Sequence, residues 1–283
     1  MTLLTIFSWA VIAVFFVACW PRIATSRSWE IGALLATLTL SITHQVLFST
    51  LAEDAYITYR YSLNLADGNG PVFNVGERVE GYSNFLWMVL LALPRTVADV
   101  DIVLLARALG VVCTLGALIM LHLLVRRVTG NGSAGVLAAM LTAGAGSVAA
   151  YGPSGLEAPL FTLLVLAVAY AAIADRPALA GALAALATMT RPDGAVVAVV
   201  VWLWLLARHR WRAPVLFAAA ALLLAAPWTA WRLAYYGHLL PNALAAKSGL
   251  DLSWQLYSGW SYLVGFLAAF QALLVWCRSA CTR

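Results

Sequence analysis

Seven apolar runs, at residues 3–20, 31–51, 102–124, 133–151, 156–174, 213–231 and 258–276, decide what this chain can fold into. Each is near the ~20 residues that a helix needs to cross the hydrocarbon of a bilayer. Inside a bilayer the backbone polar groups must be satisfied within the segment itself, which a helix does. Two further apolar stretches, 178–190 and 195–207, have 13 residues each. At ~1.5 Å of rise per residue neither covers a ~30 Å core, so they read as a hairpin of short helices. The expected fold is all-α: a polytopic transmembrane helical bundle of about nine membrane segments, with 1–283 as one transmembrane domain. Composition agrees, since 63% hydrophobic residues, 10% charged residues and a mean hydropathy of +0.89 exclude water as the main solvent.

Basic residues that flank spans stay on the cytoplasmic side. With these spans, Arg22, Arg27, Arg126, Arg127, Arg176, Arg208, Arg210, Arg212, Arg278 and Arg283 share one side with only Glu30 and Asp175, while seven bases face ten acids on the other. The first side is read as cytoplasm. The net charge of +5 is then a topology signal, with no case for nucleic-acid binding. The first run lacks a charged leading region and an A-x-A site, so it reads as a retained span. The four cysteines show no zinc spacing.

The first outer loop, 53–100, carries five acids between residues 53 and 80, Glu53, Asp54, Asp67, Glu77 and Glu80, with aromatics between them. Asp54 suits the cap of a helix over 55–66, which Asp67-Gly68-Asn69-Gly70-Pro71 stops. Residues 72–76 read as extended. The nine apolar residues 85–93, closed by Pro94, are too few to span and read as an interfacial or re-entrant element. A second outer loop is expected over 232–257.

Five motifs follow one another on this topology: Glu-Asp-Ala-Tyr-Ile-Thr-Tyr-Arg-Tyr at 53–61, Gly-Glu-Arg-Val-Glu-Gly-Tyr-Ser-Asn-Phe-Leu-Trp at 76–87, Ser-Gly-Leu-Glu at 154–157, Thr-Arg-Pro-Asp-Gly at 190–194 and Tyr-Tyr-Gly-His-Leu-Leu-Pro-Asn at 235–242. In this order they resemble the GT-C membrane glycosyltransferases, in particular the actinobacterial terminal arabinofuranosyltransferase family. The resemblance implies transfer of a sugar, with inversion, from a polyprenyl phosphate donor to a cell-envelope glycan acceptor on the outer face. It maps the family's catalytic acid onto Asp54, beside Glu53. Members usually continue through more spans into an extracytoplasmic carboxy-terminal domain; here the chain stops at Arg283, and residues 277–283 do not resemble the family. A truncated or noncatalytic subunit and a lipid-linked sugar flippase are the alternative readings.

The chemistry asks for little. A lipid phosphate leaves as a stable anion and needs no protonating acid, so one base for the acceptor hydroxyl suffices. Asp54 is that candidate, with helix capping as its alternative role. Glu53 is a second acid that orients a hydroxyl or takes a divalent cation, or an ordinary loop acid. Glu80 is expected to fold back toward Asp54 and bind sugar hydroxyls, the alternative being a salt bridge to Arg78 or Arg60. Tyr56 and Tyr82 offer faces to a sugar or a prenyl chain, or belong to the interfacial aromatic belt of a protein in contact with membrane lipid. Arg191 and Asp193 lie at the hairpin tip, where charge at membrane depth marks a functional candidate. Arg191 offers a bidentate grip on the donor phosphate, against a plain pair with Asp193. Glu157 starts a span at the same level, and Lys247 stands in the second outer loop as a cation for a lipid phosphate. Asp99-Val100-Asp101 copies the D-x-D of nucleotide-sugar enzymes but falls on the outer side, where such sugars are absent.

Overall fold

The computed structural model describes residues 2–208, 211–238 and 251–268, and every regular element among them is helical. Residues up to Pro241 form one compact unit and Asn242–Arg283 a second. Lys247 lies outside the described residues.

The first unit opens with α1 (Thr2–Thr25) and α2 (Arg27–Leu47), joined by Ser26 alone. α1 does not stop at Trp20 as the sequence implies but runs through Pro21 for another turn. The outer loop then folds into α3 (Ala55–Ala66) and α4 (Phe85–Val97). α3 has the expected bounds. α4 passes Pro94 and ends at Val97; with 13 residues it is about 20 Å long, too short to span. Residues 72–76, expected to be extended, form a bend and turn instead, with the Glu77 amide donating to the Asn74 carbonyl at 3.1 Å.

α5 (Ile102–Thr129) is a single 28-residue helix ended by Gly130, whose φ of 70° is the left-handed stop of a helix. The apolar run 133–151 is not one span. It is α6 (Gly132–Ala143) and α7 (Gly146–Tyr151), parted at Gly144–Ala145 where Ala145 turns extended. Two glycines flanking one residue weaken helix propagation enough for a break that hydropathy alone does not register. α8 (Ala158–Ile173) follows, then the short hairpin of α9 (Pro177–Thr190) and α10 (Gly194–Arg208), close to its expected bounds. α11 (Arg212–Tyr236) extends past Trp231, so Arg232 lies in a helix and not in the second outer loop. The second unit contributes α12 (Leu252–Phe266), which starts before the expected run at 258.

Among the described residues three helices, α2, α5 and α11, are long and apolar enough to cross a membrane; α4, α6, α8, α9 and α10 are shorter apolar helices of 12–16 residues. Only 11% of the apolar window of α11 is buried, and Leu222 and Leu223 point outward at 63% and 74% exposure. A helix this apolar with so little protein against it needs hydrocarbon as its solvent. α9 is the packing hub, with Ala180, Ala184, Ala185 and Ala187 buried. Its small side chains let α8 and α11 come close, down to contact between Gly181 and the Phe217 carbonyl.

Polar contacts sort to the two ends of the unit. Near the start of α2 and the end of α5, Glu30 lies 3.1 Å from Arg126 and 3.2 Å from His122. Beyond the opposite end of α2, Ser49 accepts from Arg107, and Thr50 donates to the Ala150 carbonyl at 3.2 Å. Glu30 and Arg126, which charge assigns to one side of the membrane, thus meet one another.

Candidate active site

Below the site sits a core of Ala55, Tyr59, Trp87, Leu91, Ile102, Ala106, Leu160 and Ala187, drawn from five helices. It fixes α3 and α4 side by side. The Ser62 hydroxyl donates to the Met88 carbonyl at 3.0 Å, and four residues earlier on both helices Asn84 donates to Thr58 at 2.9 Å. Equal steps along both helices mean that they run in the same direction, so their amino termini share one end.

The turn before α8 is pinned there too. Gly155 has a φ of 85° and its carbonyl accepts from the Trp87 indole at 3.0 Å; a Cβ at this position would run into the Tyr59 hydroxyl. Only glycine satisfies both demands, which explains the glycine of Ser-Gly-Leu-Glu. The turn delivers Glu157, 9% exposed, to the Asn84 amide at 3.0 Å and to Arg191 at 2.9 Å. Arg191 arrives from the hairpin tip. Pro192 disfavours helical backbone at the preceding residue, and Arg191 is accordingly extended, ending α9. Its guanidinium also donates to Asp193 at 3.0 and 3.3 Å and lies 5.6 Å from the centre of the Phe161 ring.

Thr58, Asn84, Glu157, Arg191 and Asp193 thus form one connected network, around which α3, α4, α8 and α10 all begin. Asp54 stands one turn before Thr58 in helical backbone, hence on the same side of α3. Its carboxylate is exposed, as is that of Glu53, and neither has a side-chain partner among the described residues.

Capping behaviour sets these positions apart. Asp54, Asn84 and Glu157 occupy the cap positions of α3, α4 and α8, yet none makes a side-chain cap bond. Elsewhere the same residue types do cap: Asp101 accepts from Val103 and Leu104 at 2.8 and 3.1 Å, Asn131 from Ser133 at 2.9 Å, and Asp251 from Ser253 at 3.5 Å. At the network end Asp54 and Glu157 have helical backbone, and the Asn84 and Glu157 side chains bond to other elements instead of their own helix starts. The Asp99-Val100-Asp101 acids are accounted for structurally, Asp101 as a cap and Asp99 paired with Arg95.

Glu80 is placed differently from expectation. It is buried in a two-bond ion pair with Arg232 at 2.6 and 2.8 Å, not beside Arg78 or Arg60. Arg78 lies 4.7 Å from the centre of the Tyr235 ring, and the exposed Arg60 donates to the Phe73 carbonyl at 3.1 Å. Tyr82 is 3% exposed, with its hydroxyl 3.2 Å from that of Tyr236, which donates to the Pro71 carbonyl at 2.6 Å. Tyr61 donates to the Val79 carbonyl at 2.7 Å. These residues are struts that hold the loop 71–82 against α11. Tyr56, by contrast, is half exposed at 52%, with its ring centre 5.3 Å from that of Tyr59. Burial pushes the Tyr59 phenol up to about 12 and also raises Tyr61, so neither serves as a base near neutral pH.

Thr58 and Asn84 are the network members that the sequence reading missed. Their signal was present, Thr58 one helical turn from Asp54 and Asn84 directly before an apolar helix. Neither is charged, so nothing marked them as expensive to bury. Among the described residues no three His, Cys, Asp or Glu side chains gather in a metal-binding group.

No family model and no solved structure matches the chain. Two curated relatives do. One is the terminal beta-(1->2)-arabinofuranosyltransferase of Corynebacterium glutamicum, 31% identical over 255 residues, covering 79% of this chain and 36% of the relative. The other is the terminal beta-(1->2)-arabinofuranosyltransferase of Mycobacterium tuberculosis, 31% identical over 236 residues, covering 76% of this chain and 37% of the relative. The chain therefore spans little more than a third of the length of the relatives it matches. By this similarity it is a relative of the terminal arabinofuranosyltransferases, a helical membrane protein of glycosyltransferase kinship.

Proposed function

We propose that the protein is a GT-C type glycosyltransferase that moves a sugar, arabinofuranose in the first instance, from a polyprenyl phosphate to a cell-envelope glycan on the outer face of a bacterial plasma membrane. The observation that carries this reading is the set of three cap positions around Arg191 whose side chains do not cap. Glu157, itself held by Asn84, positions Arg191, and Asp54 remains a free carboxylate one turn before Thr58 on α3.

Arg191 uses three of its five N–H groups on Glu157 and Asp193, which leaves two for a ligand. One cation against two carboxylates has no surplus charge for a phosphate. The amino termini of α3, α4, α8 and α10 supply it, each equivalent to about half a positive charge. Asp193 is 63% exposed, and an exposed ion pair contributes at most about 1 kcal/mol, so it yields readily to an arriving phosphate. In the transfer, the acceptor oxygen attacks the anomeric carbon, the bond to the phosphate oxygen breaks with its electron pair leaving on the lipid phosphate, and the hydroxyl proton passes to Asp54. Attack opposite the leaving group inverts the anomeric centre.

The test is incubation of the purified chain with a panel of polyprenyl phosphate sugars and envelope glycan acceptors. Arg191→Ala is expected to weaken donor use more than acceptor use, because a phosphate contact acts in the ground state as well as the transition state. Turnover with a soluble nucleotide sugar and none with any lipid donor contradicts the proposal.

A further inference from the structure

The end of the bundle away from Arg191 carries a second polar recess. It lies where the turn between α1 and α2 meets the turn between α5 and α6, holds about 350 Å³ and is lined by Thr25, Ser26, Arg27, Glu30, Arg126 and Asn131. Glu30 is 8% exposed, paired with Arg126 at 3.1 Å and 3.2 Å from the His122 ring nitrogen, with its second oxygen lying against Gly132 at the start of α6. Arg126 gives one donor to that bond and stays 34% exposed at its side chain.

Charge around the recess is not balanced. Arg22, Arg27 and Arg127 have no carboxylate partner among the described residues, whereas Arg191 and Arg232 at the far end are held by carboxylates. Arg22 lies 5.2 Å from the centre of the Trp29 ring, an aromatic of the kind found at headgroup level. Arg27 and Arg126 line the recess beside one satisfied carboxylate, and Arg22 and Arg127 each adjoin a lining residue in sequence, so positive charge exceeds negative around a polar space between helix turns, which is the chemistry that holds a phosphate headgroup.

We propose that this recess binds the phosphate of an anionic phospholipid, with Arg27 and Arg126 donating to its oxygens. The proposal is independent of the catalytic reading and of which leaflet this end faces. Lipid bound here joins the α1–α2 and α5–α6 turns and braces the bundle from the end opposite the active site.

The protein is purified in detergent, and retained phosphatidylglycerol and phosphatidylcholine are counted by native mass spectrometry, with Arg27→Gln as the test variant. Arg208→Gln is the control, since it removes the same charge from the same side but outside the recess. Phosphatidylglycerol is expected to be retained over phosphatidylcholine, and its affinity to fall about fivefold in Arg27→Gln and not in Arg208→Gln, as expected for ~1 kcal/mol per interfacial basic residue. Millimolar inorganic phosphate separates the sources. Displacement of the lipid supports a site that also accepts free phosphate, and retention supports one that needs the headgroup within a bilayer or micelle. Equal losses in the two variants, or no preference between the lipids, overturns the proposal in favour of a diffuse basic surface.

Discussion

The Glu80–Arg232 pair offers the sharpest energetic test of how the outer loop is held. The partners are 4% and 7% exposed and make two parallel bonds of 2.6 and 2.8 Å, joining residues 152 positions apart. Removing one partner strands the other charge in a site that water does not reach, and such losses cost about 3–5 kcal/mol. The two single variants should not cost the same. In Glu80→Gln the Arg232 guanidinium keeps the Trp228 ring, 5.1 Å from its carbon, whereas Arg232→Met leaves Glu80 among the tyrosines Tyr61, Tyr82 and Tyr236. Arg232→Met is therefore the worse single change, and the double variant should recover part of the loss, with a coupling of about 2–3 kcal/mol. Unfolding by titration of a denaturing detergent into mild micelles, followed by tryptophan fluorescence, measures all four proteins. Single losses below about 1 kcal/mol with coupling below about 0.5 kcal/mol would show that the pair does not lock the loop to α11.

Three further outcomes follow from the geometry. Asp101→Ala removes a cap with two amide bonds and should cost about 1 kcal/mol, while Asp54→Ala should stay within about 0.5 kcal/mol; the same unfolding titration reads both, and equal losses would return Asp54 to a structural role. Gly155→Ala forces a left-handed backbone and a collision with Tyr59, so a loss of about 1–3 kcal/mol should appear together with a fall in turnover as Glu157 shifts; an unchanged protein refutes the packing of that turn. In a cysteine-free background, Asn69→Cys should react with an impermeant thiol reagent in intact cells and Gly130→Cys should not, and the opposite pattern reverses the orientation that charge implies.

What the sequence disclosed and what it concealed divide along the range of the interaction. The bounds of α3, α9 and α10 were legible because local punctuation marks them: Asp54 ahead and Gly68 behind in one case, Pro177, Pro192 and Gly194 in the other. The hairpin tip was recognisable from two charges between apolar runs. The break between α6 and α7 was not, because a hydropathy window barely registers glycine, which propagates a helix poorly. Contacts at long separation were the real blind spot. Glu80 has two nearby arginines in sequence, and only the packing of the loop against α11 shows that its partner is Arg232. Likewise Glu157, Asn84 and Thr58 come from three helices, and no spacing rule links them.

The proposed transfer requires Asp54 to act as a base, and one substitution separates that role from a structural one. Asn fills the same volume and can occupy a helix start as well as Asp, but it takes no proton at neutral pH. Asp54→Asn is expected to unfold like the parent protein and to lose turnover with a polyprenyl phosphate sugar by about 10²-fold or more. Asp251→Asn, at the capped start of α12, serves as the control and should keep its activity. Near-parental turnover in a stable, monodisperse Asp54→Asn protein would contradict the assignment, and the same result in Glu53→Gln would remove this loop as the catalytic site.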